Sequence, residues 1–563
     1  MAGGLLNIVS VGSANVILTG NPTKTFFKVT YSKYTNFGLQ KFRIDYDGVR
    51  DLRPTTDSTF TFKIKRYAEL LMDTYLVVTL PNIWSPLFHP CEANNNEWSP
   101  YDFRWIKDIG THMIRTVEIN CGSQTIQRYS GEYLAAMVNR DFTADKKDLF
   151  NRMSGNVDDL TDPANAYNRS NVYPAAYYSG NPTGEEPSIR GRTLYIPINT
   201  WFTLDSRCAF PLVSLQYNEL SITVTLRPIQ ELYQIRDAFD TINNYPYIQP
   251  DYTADQYQLY RFLQTPPAVR INASAYENKT NTWNADIHLI STYCFLSKEE
   301  AQLFAAEDQV YLVKDVFEYS FPNVTGSSKV KLTSNGMISN WMFYFQRDDV
   351  NLRNEWSNYT NWPYRTLPAD ILAAPIDLPY NFNSATDPNR LISDYLLTRG
   401  PLVNPTTNMN TGYYITGAYS VDNRKDILET LGIVLDGDYR ENVMTRGIYD
   451  YIEKYTRTNG AATDGLYCYN FCLNTNPLDY QPSGAINLSR FKSVELEFTT
   501  YAPQFDLEGS NVNIVCDDTG IPIGISSKPS WRLYQYNFNM TLFEERYNIL
   551  SFIGGNCGML YAR

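Results

Sequence analysis

Apolar and polar side chains alternate with period two in many segments of this chain, and the alternating segments recur in the same order. QYNELSITV sets Tyr217, Leu220, Ile222 and Val224 at spacings that RFKSVELEF repeats as Phe491, Val494, Leu496 and Phe498, about 270 residues later. Phe62, Ile64, Leu70, Tyr75 and Val77 are matched at a similar offset by Val330, Leu332, Ile338, Phe343 and Phe345. Alternate side chains of a strand share one face, so each block predicts a half-buried strand and the repetition predicts tandem β domains. Further strands are predicted at Phe60 to Ile64, Thr74 to Leu80, Ile114 to Ile119, Leu194 to Ile198 and Ser221 to Leu226. DIHLISTYCFL (Asp286 to Leu296), VYLVKDVFEYSF, KVKL, NWMFYFQR, SVELEF, NVNIVC and LYQYNFNM continue the series. Helical spacing is confined to KEEAQLFAAE (Lys298 to Glu307), where Leu303 and Phe304 would cap a barrel, and to DNRKDILETLGIVL.

Two polar, turn-rich excursions interrupt the pattern, at residues 139–192 and 348–465, and residues 231–267 read as a crossover between domains. The predicted division is an arm at 1–24, a first domain at 25–230, the crossover, and a second domain at 268–563. A chain of 563 residues exceeds one comfortable core and suits two domains of roughly 200 to 300 residues. Its 44 Tyr and 28 Phe favour aromatic-rich sheets, and 30 Gly with 30 Pro supply turns, so sandwiches or barrels with long surface loops are expected.

A formal charge of −12 without any Lys/Arg run argues against direct nucleic-acid binding. The first charged side chain is Lys24 and Ala2 follows Met1, so neither a secretory leader nor a myristoylation signal is read, and a soluble cytosolic product with mostly reduced thiols is expected. The seven Asn-x-Ser/Thr triplets, at Asn168, Asn272, Asn278, Asn323, Asn358, Asn487 and Asn539, are then expected to stay unglycosylated.

Candidate chemistry is sparse. His89-Pro-Cys91 and Cys468-x-x-x-Cys472 have short metal-ligand spacing but no second pair nearby, and with 3 His in the chain they read as structural. Asp45-Tyr-Asp47-Gly48 resembles a fragment of a calcium loop without its later ligands, which reads as a turn. No phosphate-binding glycine loop, nucleophile elbow or His-Glu-x-x-His helix occurs. No catalytic, cofactor-binding or metal residues are therefore assigned, and no cofactor is expected. Trp356, Tyr359, Trp362 and Tyr364 suit stacking on sugar rings, which defines the competing reading of a carbohydrate-binding protein or glycoside hydrolase; the bland reading is packing or subunit contact.

Five segments resemble one family in order along the chain. They are LTGNPTKTFFKVTYSKYTNF (Leu18 to Phe37), LYIPINTWF (Leu194 to Phe202), FPLVSLQYNELSI (Phe210 to Ile222), QPSGAINLSRF (Gln481 to Phe491) and YNILSFIGGNCGMLYA (Tyr547 to Ala562). In these the chain is similar to the double jelly-roll major capsid proteins of nucleocytoplasmic large DNA viruses. The resemblance implies an all-β fold of two tandem eight-stranded jelly-roll barrels with long inserted loops and a few short helices. It also implies a non-enzymatic coat protein, three chains per pseudo-hexameric capsomer, and capsomers tiling an icosahedral virion shell around double-stranded DNA. Implied partners are further copies, neighbouring capsomers, minor capsid or penton proteins and an internal viral membrane, with synthesis and assembly in the host cytoplasm. The excursion at 348–465 carries none of the family's motifs. The arm before Pro22, with few charges and little periodicity, is expected to order only against neighbours or the inner face of the shell.

Overall fold

The computed structural model describes residues 12–85, 102–169, 173–174, 176, 186–236, 247–254, 257–266, 276–365, 400–403, 410–415, 425–503, 512–516, 522–527 and 536–561. His89, Cys91 and Asn272 lie outside them.

Nine strands form the two main sheets of the first unit: β1 (Phe37–Asp45), β2 (Ser58–Lys63), β3 (Leu70–Leu80), β4 (Ile114–Cys121), β5 (Gln124–Tyr129), β6 (Arg192–Pro197), β7 (Phe210–Pro211), β8 (Leu220–Leu226) and β9 (His288–Leu296). They build one sheet in the order β1-β9-β3-β6, with β7 also on β3, and a facing sheet in the order β2-β8-β4-β5. The second unit repeats this strand for strand: β10 (Gln309–Phe321), β11 (Ser327–Leu332), β12 (Met337–Arg347), β13 (Leu428–Leu435), β14 (Asp438–Thr445), β15 (Leu466–Asn470), β16 (Ile486–Asn487), β17 (Val494–Thr500) and β18 (Phe538–Ile553). Its sheets run β10-β18-β12-β15, with β16 on β12, and β11-β17-β13-β14. Each strand of the first barrel therefore has a counterpart nine strands on, and a terminal strand β19 (Asn556–Met559) pairs with β18.

Register makes the repeat exact for one of the two sequence blocks. Phe62 on β2 and Ile119 on β4 both face Ile222 on β8, as Val330 on β11 and Ile433 on β13 both face Leu496 on β17. All six side chains are core. The outward residues of β2 and β8 pair as hydroxyls, Thr59 with Thr225 at 3.2 Å and Thr61 with Thr223 at 3.1 Å, which explains why Thr alternates with large apolar residues there.

In β3 the periodicity misplaces the match by one residue. The inward side chains are Leu71, Leu76 and Val78, and these correspond to Ile338, Phe343 and Phe345; Tyr75 and Leu70 point outward. The strand is apolar on both faces, so period two does not mark which face is core.

Two further expectations change. DIHLISTYCFL does not open the second domain: as β9 it closes the first barrel between β1 and β3, and residues 231–267 include a strand, Tyr233–Arg236, that pairs within the first unit. The join between barrels is α3 (Lys298–Ala306), reached directly from β9. Its Phe304 packs on Leu70, Ala209 and Cys294, while Leu303 stays exposed. A buried strand reads alike on either side of a boundary, and a polar excursion inside a domain has a linker's composition. Likewise the described part of DNRKDILETLGIVL, residues 425–435, is not helical. Its Leu428–Leu435 is β13, whose Leu428, Leu431, Ile433 and Leu435 fill the second core against β17, so packing overrides local spacing. With β13 and β14 inside it, the stretch 348–465 is in part barrel wall.

The periodicity did not reveal two helices, α1 (Gly131–Asp141), which leads into the first insertion, and α2 (Ala144–Ser154) inside it.

The barrel junction as candidate assembly site

Helix α1 leaves the first barrel directly after β5 and lies on the second. Ser130 caps it by accepting a hydrogen bond from the Tyr133 backbone, and only glycine fits at Gly131, where a Cβ would stand 2.0 Å from the Thr111 carbonyl oxygen. Tyr133, Met137 and Arg140 then share one face, at helical spacing. Beneath them is the outer face of β10-β18-β12-β15, where Met342, Tyr344, Phe543, Leu466 and Cys468 join the first barrel's core cluster. The rings of Tyr133 and Phe543 meet edge to face at 5.7 Å.

At the far end of α1 a polar network is sealed between the barrels. Arg140 is wholly buried and donates to Asp141 Oδ2 at 2.6 Å, Glu545 Oε1 at 2.9 Å and Asn340 Oδ1 at 2.6 Å. Glu545 also accepts from Tyr133 Oη at 3.0 Å and from Asn340 Nδ2 at 2.9 Å, with Lys314 Nζ at 3.6 Å. Thr475 donates to Asp141 at 2.6 Å. Burial pushes the Glu545 carboxyl up, but Arg140, Lys314 and its hydrogen bonds outweigh that and hold it down at about 2. Asp141 moves the other way, because burial dominates over Arg140. Arg140, Asp141, Glu545 and Lys314 each have a partner of opposite charge here, the condition under which buried ions are tolerated.

A second clasp runs the other way. The start of the second insertion folds back on the first barrel: Asn354 donates to the carbonyls of Gln230 and Tyr233, both at 2.8 Å, and Trp356 Nε1 donates to that of Glu231 at 3.0 Å. Glu355 lies 3.5 Å from Arg104 and accepts from Gln234 at 2.9 Å. The four aromatic residues singled out as sugar-stacking candidates belong to this clasp. Tyr359 stacks on Tyr344 at 4.1 Å and Tyr364 donates to the Tyr247 carbonyl at 2.7 Å, while Arg227 covers Trp356 and Lys425 approaches Trp362. Their rings serve packing.

Cys468 and Cys472 are buried free thiols, and burial pushes Cys468 up to about 12 and raises Cys472 as well. Among the described residues no three His, Cys, Asp or Glu side chains converge as a metal site. Asp45 ends β1 in ion pairs with Arg43 at 2.7 Å and Arg50 at 3.1 Å, which accounts for the Asp45-Tyr-Asp47-Gly48 turn. Of the glycosylation triplets, Asn358 is buried, donating to the Trp362 carbonyl, and Asn487 and Asn539 lie on strands. Sequence reasoning did not find Arg140, Asn340 or Glu545; the available signal was a charged pair inside the strand TLFEERYNIL, where period two places apolar residues.

Two jelly rolls welded side by side in one chain define a tandem jelly-roll protein. Comparison with known proteins identifies which. Residues 25–264 match the family described as major capsid protein N-terminus, and residues 300–558 match the large eukaryotic DNA virus major capsid protein. The chain belongs to the major capsid proteins of large eukaryotic DNA viruses, structural proteins and not enzymes. It is 25% identical over 531 residues to the major capsid protein of Phaeocystis pouchetii virus, spanning 88% of this chain and 92% of that one. Over 564 residues it is 22% identical to the major capsid protein of Paramecium bursaria Chlorella virus 1, with all of both chains covered. The fold matches a chain of the PBCV-1 virus capsid at TM-score 0.57 and 17% identity, covering 96% of this chain and all of that one, and the Faustovirus major capsid protein at TM-score 0.55 and 14% identity, covering 98% of each.

Proposed function

We propose that three copies of this chain close into a pseudo-sixfold capsomer and that such capsomers tile the icosahedral shell of a large DNA virus. The observation that carries this reading is the strand-for-strand repeat held by a buried junction, because a rigid pair of equivalent barrels lets three chains present six similar units. A closed ring of head-to-tail contacts consumes the complementary patches that would otherwise extend into filaments. The arm and the stretch that leads from it to β1 fit the same picture: Ile17 and Leu18, then Phe26, Phe27, Val29, Tyr31 and Tyr34, are all at least 85% exposed, which calls for cover from neighbouring capsomers, minor capsid proteins or an internal membrane. Assembly in the host cytoplasm agrees with the free thiols.

The native mass of the purified protein tests this. Three times the 64.7 kDa chain is expected; a monomer at every concentration overturns the capsomer. Deleting residues Gly3 to Gly20 is expected to block normal shells, and intact shells from the deletion would remove the arm from assembly.

A further inference from the structure

The junction inside the chain has two halves: a docking module on the first barrel, made of β5 and α1, and a receiving face on the second, made of β10-β18-β12-β15. Because the barrels repeat, the second barrel owns the same module and the first barrel the same face. Each leaves exposed side chains where its counterpart is buried, although Ile448 and Tyr449 pack on the second core.

The module first. Val117 on β4 faces Val224 and Tyr129, and Leu431 on β13 faces Phe498 and Met444, so Met444 on β14 occupies the place of Tyr129 on β5. A π-turn (Ile448–Ile452) running into α4 (Glu453–Arg457) follows β14 as α1 follows β5. Counting from Tyr129 and from Met444 sets Ile448, Ile452 and Tyr455 at the positions of Tyr133, Met137 and Arg140. Tyr129, Met137 and Arg140 are 3%, 2% and 0% exposed, whereas Met444, Ile452 and Tyr455 are 37%, 52% and 90% exposed. Tyr451 adds another ring at 63%.

Next the face. Met342 pairs with Phe543 and Cys468 as Tyr75 pairs with Ile290 and Pro197, and Tyr344 pairs with Leu466 as Val77 pairs with Tyr195. The second-barrel set is buried under α1 and its surroundings; in the first barrel Val77 is buried, but Tyr75, Ile290 and Pro197 are half-buried and Tyr195 is 43% exposed. Part of the polar row recurs. Glu545 pairs with Asn340 across β18 and β12 where Thr292 lies beside Asp73 across β9 and β3, Thr292 donating to Asp73 at 3.3 Å and accepting from Lys41 Nζ at 3.0 Å; opposite Glu545 the register sets Val316 in the place of Lys41.

We infer that β14 and the Ile448–Arg457 segment of one copy dock on the outer face of β1-β9-β3-β6 of a second copy, as β5 and α1 dock within the chain. Ile452 covers Ile290 and Tyr75, and Tyr455 reaches the Asp73 and Thr292 row, its hydroxyl donating to the Asp73 carboxylate where Arg140 serves Asn340 and Glu545. The contact is head-to-tail and supplies the surfaces that a three-chain ring requires, so it rests on the capsomer reading above and deepens it to named residues.

Two experiments on the full-length protein test it. In the first, Tyr455→Cys and Asp73→Cys are placed on separate chains and co-expressed. The expected product is a disulfide-linked dimer seen only in the mixture, and the doubly substituted chain is expected to give cross-linked species up to three chains. In the second, Ile452→Asp with Tyr455→Asp is expected to lower the native mass from three chains to one with an unchanged far-ultraviolet spectrum. If the unsubstituted protein is a trimer but the cross-link fails and the double aspartate variant stays trimeric, the docking surface is wrong and the capsomer stands. A monomeric unsubstituted protein removes both.

Discussion

Arg140 and Glu545 come from different barrels and meet at 2.9 Å with both side chains withdrawn from solvent. Taking either partner away strands a charge in the junction. Arg140→Met is therefore expected to destabilise the protein by roughly 3 to 5 kcal/mol, the range for breaking one side of a buried pair. Glu545→Gln is expected to cost less, because Arg140 keeps Asp141 and Asn340 while the new amide still accepts from Tyr133. The two substitutions together are expected to cost clearly less than their sum, since each removes the other's stranded partner. Denaturant unfolding of the four proteins measures this, and strict additivity would contradict the coupling.

The same carboxylate sets an acid limit. Glu545 sits at about 2 in the fold against an ordinary 4.5, so it binds fewer protons folded than unfolded between those values. Its contribution is complete above about 4.5 and is lost as pH falls toward about 2. Asp141, raised by burial, works with the opposite sign and partly masks the effect. Glu545→Gln is thus expected to flatten the fall of stability through that window while leaving a lower plateau at neutral pH. Thermal unfolding from pH 6 down reads both features; an unchanged acid slope would take Glu545 out of the linkage.

Some of this architecture was visible in the sequence and some was not, for reasons tied to particular residues. Phe62 with Val330 and Ile222 with Leu496 were legible because their strands bury one face only, so alternation marks the core. Periodicity picks Tyr75 and Val77 in place of Leu76 and Val78 because β3 buries apolar residues on both faces, one in its own barrel and one beside its neighbours. β9 was placed in the wrong barrel because strand order is a long-range property that no local spacing encodes. The junction was invisible for a different reason. Arg140 and Glu545 are ordinary surface residues until α1 folds over β18, and their burial is a product of tertiary contact alone.

Gly465 precedes β15 at φ +82°, and a Cβ there would stand 2.1 Å from the Tyr359 carbonyl oxygen. Gly437, between β13 and β14, has φ +95° but open space around it. Both carry the left-handed backbone cost of an L residue, about 1 to 2 kcal/mol. Gly437→Ala is expected to cost about that and no more. Gly465→Ala is expected to cost substantially more, because the clash is with backbone and its relief shifts Tyr359 from its stack on Tyr344. Comparing the two by thermal unfolding isolates the steric part; equal losses would mean the clasp yields freely.

Phe543 decides whether the two barrels unfold together. Although it belongs to β18 of the second barrel, its side chain lies with the first barrel's core, against Tyr133 and Tyr344. Apolar burial there is shared, so neither barrel can open without exposing part of the other's core, and a single cooperative transition is expected for the intact chain. Phe543→Ala removes a ring from that shared region, a loss of about 3 to 5 kcal/mol. Leu496→Ala, buried wholly within the second core, is expected to cost about 2 to 5 kcal/mol. The two should differ in kind more than in size. Loss of Phe543 loosens the junction and is expected to split unfolding into two calorimetric steps, whereas loss of Leu496 weakens one barrel through an intact junction and is expected to lower a single step. One step in both variants would place the coupling in the Arg140 network and the Glu355 clasp instead of the aromatic contact.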